Sequence, residues 1–405
     1  NPDATAEDLV TKMPGLTSDA NGVKANGETV QQILVDGKPF FGSDPAAALK
    51  NLPAEVIDKI QVFDKLSDQS LFTGFDDGNA QKTMNIITRR NKSEGYFGKV
   101  YGGYGTDNRY IGGGNLNIFK GDRRISILGL TNNINQQNFS SEDILGATGS
   151  SGGRGGNRGG GGNRGGGGGW GNNPANNFMV GQQAGIATTH ALGLNYSDNW
   201  GKKIKVSGSY FFNNGNTTRT DSLSRNYFTS SPDTLYYRES SATNTANTNH
   251  RFNGRLEYTI DSSNSLTFTP SLSLQQTTTD AGTYAGNSLR EVLQSVTAST
   301  TTSYSSGYNA SGNLLYQHKF AKPRRTISFN LNGSLNERNG DGTNYSSNSY
   351  YNTTTSNTLR DQRYDQYSNG YTAGINVTYT EPVSKNGQVM FTYKIVNLLQ
   401  NYISR

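Results

Sequence analysis

Period-two alternation constrains this chain more than any other feature. Between Arg251 and Leu274 it reads RFNGRLEYTIDSSNSLTFTPSLSL. Phe252, Gly254, Leu256, Tyr258 and Ile260 fall on one side of an extended backbone, and Arg251, Asn253, Arg255, Glu257 and Thr259 on the other. After a break at Asp261 to Asn264 the pattern resumes, with Leu266, Phe268, Leu272 and Leu274 set against Ser265, Thr267, Thr269, Ser271 and Ser273. Successive side chains of a strand point to opposite faces, so this is a β-hairpin with one apolar and one polar face. The same grammar recurs from Tyr96 onward, in Leu192/Leu194/Tyr196, Ile327/Phe329/Leu331/Leu335, Tyr371/Ile375/Val377/Tyr379 and Val389/Phe391/Tyr393/Ile395 among others. With less regular stretches at 96–105, 110–119 and 124–133, about eleven strands are expected.

The question is what covers the apolar faces. Only 32% of the 405 residues are hydrophobic, thin for a soluble all-β protein that must cover each sheet with a second apolar layer. No run of about 18 apolar residues exists, which excludes a transmembrane helix, whereas strands cross a bilayer with only ~9–11 residues of alternating character. The connections add a second signal. Tight ones (120–122, 198–202, 261–264, 321–325, 381–387) alternate with long polar ones expected at 134–188, 214–248, 276–306 and 338–368. Short turns at one end and long loops at the other are a property of transmembrane barrels. Lipid is therefore the expected cover, with Tyr and Phe near strand ends at the interfaces. Backbone polar groups must all be paired inside a bilayer, so the sheet has to close. An odd strand count does not close an antiparallel ring, which leads us to expect further strands after Arg405. Likewise Asn1, with no charged-then-apolar leader, reads as a processed or truncated start.

Up to about Arg90 the grammar is that of a small α+β unit. Asp3 or Thr5 can cap a first helix in which Leu9, Val10 and Met13 share a face, and MPGL ends it. QILVDG is a strand closing in an Asp36-Gly37 turn; in SDPAAALKNLP, Asp44 is the expected helix cap and Pro45 the first helical residue. IDKIQVFD and TMNIITR supply further strands.

This first region resembles the plug domain of TonB-dependent outer-membrane receptors. The strings that carry the resemblance are AEDLVTKMPGL, KANGETVQQILVDGKPF, NLPAEVIDKIQVFD and KTMNIITRR; SDQSLFTGFDDGNAQKTMNIITRR and the segment from Gly98 to Ser140 are similar to a narrower branch of outer-membrane β-barrel proteins with a receptor-type plug. The matching motif positions are Pro14, Gly15, Gly27, Asp36, Gly37, Pro53, Ile57, Ile60, Gly74, Asp76, Gly78, Asn85 and Thr88. The resemblance covers about residues 1–140. It implies a plug at 1–92 inside the lumen of a barrel of roughly 22 strands, of which 93–405 would be the first half, with a Gly/Arg/Asn-rich loop at about 134–188. It also implies a TonB inner-membrane energy-coupling complex as partner, acting through a segment upstream of Asn1, and a cell outer membrane location.

Other chemistries find little support. The absence of cysteine removes disulfides, thiolate metal sites and cysteine nucleophiles. The net charge of +6 is too diffuse to imply nucleic acid. GGRGGNRGGGGNRGGGGGW, Gly152 to Trp170, could serve as an RNA-binding segment, a flexible loop tip or a gate over a ligand entrance, and its place in the longest loop favours the loop tip. FDDGN, Phe75 to Asn79, lacks the alternating ligands and distant Glu of an EF-hand, so a turn is expected rather than a calcium loop. His190, His250 and His318 lack metal-site spacing, and no GxSxG-type nucleophile motif stands out, so neither catalytic residues nor a cofactor or metal site are expected. Asn-X-Ser/Thr sequons follow from composition. The triple Gly112 to Gly114 reads either as a strand kink or as a close approach of the plug to the wall.

The function these readings favour is a receptor that binds a polar ligand such as a saccharide, siderophore or peptide at long loops 214–248, 276–306 and 338–368, and imports it. The alternative is a structural or adhesive outer-membrane barrel with partner-binding loops. A passive channel is disfavoured by a folded domain in the lumen. Outer-membrane lipid and a surface lipoprotein stand as further candidate partners.

Overall fold

The computed structural model describes residues 4–19, 22–42, 45–89, 94–136, 185–228, 234–351, 355–384 and 387–404. Thr5 caps α1 (Ala6–Val10) reciprocally: its hydroxyl accepts from the Asp8 N–H, and the Asp8 carboxylate accepts from the Thr5 N–H at 2.8 Å. The other candidate cap, Asp3, lies outside the described residues. The helix stops at Val10, so Met13 is not on its face as the sequence suggested. Next come β1 (Leu16–Asp19), β2 (Gly22–Ala25) and β3 (Glu28–Thr29), which form a three-stranded meander. β4 (Gln32–Val35) and β5 (Lys38–Pro39) close around Asp36-Gly37. After α2 (Pro45–Asn51), whose expected cap Asp44 is outside the described residues, β6 (Ile57–Lys65), α3 (Asp68–Thr73) and β7 (Gln81–Thr88) complete a second sheet in the order β5-β4-β7-β6. Only β4 and β7 run parallel in it. Val10, Val30, Ile33, Val35, Leu49, Leu52, Met84 and Ile86 fill the core between these elements.

The rest of the chain is one antiparallel sheet of eleven strands in chain order. They are β8 (Gly95–Tyr104), β9 (Tyr110–Lys120), β10 (Arg123–Asn132), β11 (Ile186–Trp200), β12 (Ile204–Phe228), β13 (Thr234–Thr259), β14 (Asn264–Leu289), β15 (Val292–Lys319), β16 (Thr326–Tyr350), β17 (Thr358–Pro382) and β18 (Gln388–Ser404). β8 and β18 are its edges. The strand count agrees with the sequence reading. The long loops do not. Residues 214–248, 276–306 and 338–368 are mostly ladder, with pairing continuous from Asn214↔Thr248 out to Phe228↔Thr234 and, with one bulge at Asn287/Ser288, from Gln276↔Ser306 out to Leu289↔Val292. These segments lack apolar alternation, but they are rich in Thr and Ser, and cross-strand Thr and Ser pairs hold a ladder without an apolar face. Thr302 and Thr343, with hydroxyls 2.7 Å apart, are one such pair. Of the fourth expected loop, 137–184 lies outside the described residues, with the Gly-rich segment inside it.

The sheet is inverted relative to a soluble protein. Phe252, Phe268, Leu272, Leu274, Leu331 and Ile375 are exposed, while Arg251, Ser273, Gln275, Ser328, Thr378 and Thr380 on the opposite face are buried. The apolar stripe is a band: on β16 it begins at Ile327 and ends at Leu335. Aromatic rings collect at its short-turn margin with their polar atoms anchored. Trp200 Nε1 donates to Tyr196 Oη (3.0 Å), Tyr316 Oη to Asn264 Oδ1 (2.6 Å) and Tyr379 Oη to Glu381 Oε2 (2.6 Å). No helix among the described residues is long and apolar enough to cross a membrane.

The glycine triple in β9 pairs in unbroken register with both neighbouring strands, and its close approach lies within the sheet. A Cβ on Gly113 would lie 2.6 Å from Tyr101 Oη, and one on Gly114 2.7 Å from the Lys99 carbonyl. The close approach is to the neighbouring strand β8, whose Tyr101 ring covers the gap, and the N-terminal unit is not the neighbour.

Candidate functional site

The motif residues of the N-terminal unit converge on the Asp36-Gly37 turn. Both residues have positive φ, 51° and 78°, as a tight hairpin turn of this hand requires. The Asp36 carboxylate accepts from the Thr88 N–H and from Thr88 Oγ1, each at 2.8 Å, and Asn85 Oδ1 accepts from the Gly37 N–H at 3.0 Å. Asp36, Gly37, Asn85 and Thr88, some fifty positions apart in the chain, thus form one hydrogen-bonded knot. The other motif positions are scattered and structural. Gly15 sits at φ 78° with its carbonyl accepting from the Asn26 N–H, and Gly27 turns β2 into β3. Pro14 follows α1, and Pro53 opens a single 3₁₀ turn. Ile57 is buried and Ile60 packs on the core. Gly74 is the left-handed cap of α3. Asp76 accepts from the Gly78 N–H at 2.9 Å, which makes FDDGN an Asx-type turn, and no acidic or histidine cluster among the described residues is placed to hold a metal. His190, His250 and His318 each hydrogen-bond a neighbouring strand side chain.

The knot lies where the unit rests on the polar face of the large sheet. Arg124 of β10 reaches Asp36 Oδ2 at 3.5 Å, and Lys38 Nζ pairs with Asp122 at 2.8 Å. Further along, the Phe41 N–H donates to Asn195 Oδ1 (2.9 Å), Gln69 Nε2 to Ser328 Oγ (2.7 Å) and Gln317 Nε2 to the Asp68 carbonyl (3.1 Å). Arg255 of β13 bridges Asp68 (2.9 Å) and Glu257 (2.7 Å). The ladder is interrupted beside it, because Pro270 stands opposite Gly254 and has no N–H to donate. Apolar contact with the sheet runs through Phe119, Leu128 and Phe211, with Phe97 and Ala191 packed against the same cluster; the Phe41 and Phe211 ring centroids are 5.6 Å apart. The seat combines this apolar patch with charged and polar contacts, as interfaces between domains of one chain do.

Two cavities flank Arg255 and Glu257. The larger, of about 530 Å³, lies between α3 and the short-turn ends of β13 to β15, lined by Lys65, Asp68, Phe72, Gln317 and Lys319. The smaller, of about 250 Å³, runs from Asp36-Gly37 to Asp198 and Lys205. Burial, and then repulsion from Arg255, pull the Lys65 ammonium below its usual pKa. Asp122 is held below the usual carboxylate range, first by the hydrogen bond from Lys38 and then by its charge.

A small folded unit seated by polar contacts on the polar side of an inverted sheet defines the fold class. It is a partial β-barrel wall, open between β8 and β18, with a plug-like unit on its polar side. No family model and no curated protein matches the sequence. Solved structures similar to it include the ferric yersiniabactin uptake receptor FyuA of Yersinia pestis, at 11% identity over 98% of this chain and 66% of that one, TM-score 0.24. The siderophore receptor PiuA of Acinetobacter baumannii matches at 11% over 98% and 59%, TM-score 0.31. The pyoverdine outer membrane receptor FpvA of Pseudomonas aeruginosa PAO1 matches at 9% over 98% and 85%, TM-score 0.24. The chain thus spans under two thirds of the first two. Identities this low transfer no residue roles, so chemistry has to follow from this chain's own geometry.

The seat residues Lys38, Asp68, Asp122, Arg124, Asn195 and Arg255 were not singled out in the sequence. Partners such as Asp68 and Arg255 lie 187 positions apart, and no local pattern links them. The one available signal was the placement of Arg251, Arg255 and Glu257 on the polar side of an amphipathic strand.

Proposed function

We propose that the protein is a plugged β-barrel receptor of the outer membrane, with residues 1–92 as plug and 93–405 as barrel wall. On this reading it binds a polar ligand on the side of the extended hairpins β12–β13, β14–β15 and β16–β17. Pulling by a TonB-type complex then loosens the plug and the ligand passes. The observation that carries the reading is the inverted sheet with a polar, separable seat: an exposed apolar band suits hydrocarbon, and the charged contacts of Arg255, Arg124 and Lys38 can be exchanged for water when the plug moves. In an adhesive barrel the plug would have no reason to leave.

The test is ligand uptake by cells carrying or lacking the full-length protein, with and without a protonophore. Receptor function predicts uptake that needs both the protein and the proton gradient. Surface binding with no protein-dependent uptake would instead leave the adhesive alternative.

A further inference from the structure

We infer that the ligand admitted by this wall is an uncharged, hydroxyl-rich molecule, a neutral oligosaccharide, an assignment that rests on the receptor reading above. It comes from how side chains are sorted between the two faces of β14, β15 and β16 beyond the plug seat. Register fixes the faces: Ser273 pairs with Asn309, Thr279 with Ser303 and Ser303 with Gly342, and all share the side on which the plug sits. Over Ser271–Asn287, Ser295–Asn313 and Asn330–Asn348 that face carries Ser, Thr, Asn, Gln, Gly and Ala with a single charge, Arg338, which already has a partner. No ring and no apolar side chain larger than alanine points inward over these spans.

Within these spans the other charges and the rings sit on the outer face. Asp280, Glu337, Asp341, Tyr284, Tyr304 and Tyr345 all alternate away from the plug side. Composition and β-propensity act on both faces alike, so they do not account for this sorting. On the flanking strands, Arg219 pairs with Asp221 at 2.6 Å and Arg255 holds Asp68 and Glu257, while Arg360 of β17 shares the inward face opposite Ser346. A charged chelate moving along this wall would lose hydration and find no counter-charge, which is costly. A peptide with apolar side chains would find no apolar pocket. Hydroxyls and amides both donate and accept, and so match the hydroxyls of a sugar.

The test uses purified full-length protein in detergent, titrated with three probes: neutral gluco-, manno- and galacto-oligosaccharides, oligogalacturonate of the same length, and a ferric tris-catecholate. Uptake of the same probes is followed in cells with and without the protein. A neutral oligosaccharide is expected to bind at least tenfold more tightly than either anion and to be the probe whose uptake depends on the protein. Ser303→Arg is expected to raise oligogalacturonate affinity about tenfold, the effect of one added charge contact, while Tyr304→Arg, one position along and on the other face, leaves it unchanged. Either anion binding as tightly as the neutral sugars would overturn the assignment and leave the receptor reading standing. Protein-independent uptake of every probe would sink the receptor reading and the assignment with it.

Discussion

If hydrocarbon covers the apolar band, a charge placed on it should cost free energy in proportion to its depth, and β16 offers a built-in ruler. Its outward side chains from Ile327 to Leu335 cover eight residue steps, about 26 Å along a strand at ~3.3 Å per residue. A tilt of roughly 40° reduces this to a height of about 20 Å, close to the ~25 Å apolar band of known barrels. Leu331 stands halfway, about 10 Å from either margin, and is 44% exposed, so an arginine there meets no steric barrier from the protein itself. Leu331→Arg should therefore destabilise the membrane-inserted fold by about 2–4 kcal/mol, a roughly 30- to 900-fold shift in the folding equilibrium, whereas Ile327→Arg and Leu335→Arg at the margins should cost only about 0–1 kcal/mol. Urea titration of the full-length protein refolded into phosphatidylcholine vesicles, followed by gel mobility or tryptophan emission, reads all three variants. A flat profile, with the central arginine no worse than the flanking ones, would refute lipid as the cover, and cooperative refolding in plain buffer would do the same.

Three further outcomes follow from the seat and the strands. Asp36→Ala leaves the Thr88 N–H and hydroxyl without their acceptor and should cost about 1–3 kcal/mol, measured as faster proteolysis within the N-terminal unit, with Asp36→Asn milder because it keeps one acceptor. Because the folded pKa of Asp122 is depressed, its contact with Lys38 stabilises the seat above the ordinary aspartate range near ~4 and is lost as pH falls through the lowered value. Protease sensitivity of the seat should therefore rise in acid, and Asp122→Asn should raise neutral-pH sensitivity and flatten that acid response. Gly113→Val would drive a side chain into the Tyr101 ring and should lower barrel stability by about 1–3 kcal/mol, with Tyr101→Ala in the same chain relieving part of the loss in the urea titration.

Much of the architecture was legible because it is encoded locally. Alternation in Arg251–Leu274 fixes which residues share a face, a turn such as Asp36-Gly37 fixes a hairpin, and the spacing of tight turns yields the strand count. Strand length was not legible. The Ser/Thr/Asn stretches at 214–248, 276–306 and 338–368 have no apolar stripe to reveal them, so they read as loops until cross-strand pairing showed ladders. Asp36, Asn85 and Thr88 were visible as motif positions but not as one hydrogen-bonded knot, since that needs β4 beside β7 in parallel register.

The sequence by itself determined the two-faced strands, because period two follows from the geometry of a single extended segment and needs no partner. Only the tertiary structure decided that the polar face is the covered one. It also decided that Arg255 and Arg124 of the sheet pair with the N-terminal unit while Lys38 of that unit pairs with Asp122 of the sheet, and that the remaining wall over β14 to β16 is left nearly neutral. Those facts depend on register and on contacts between residues far apart in the chain, where the loop-closure entropy is large and no local pattern carries the information.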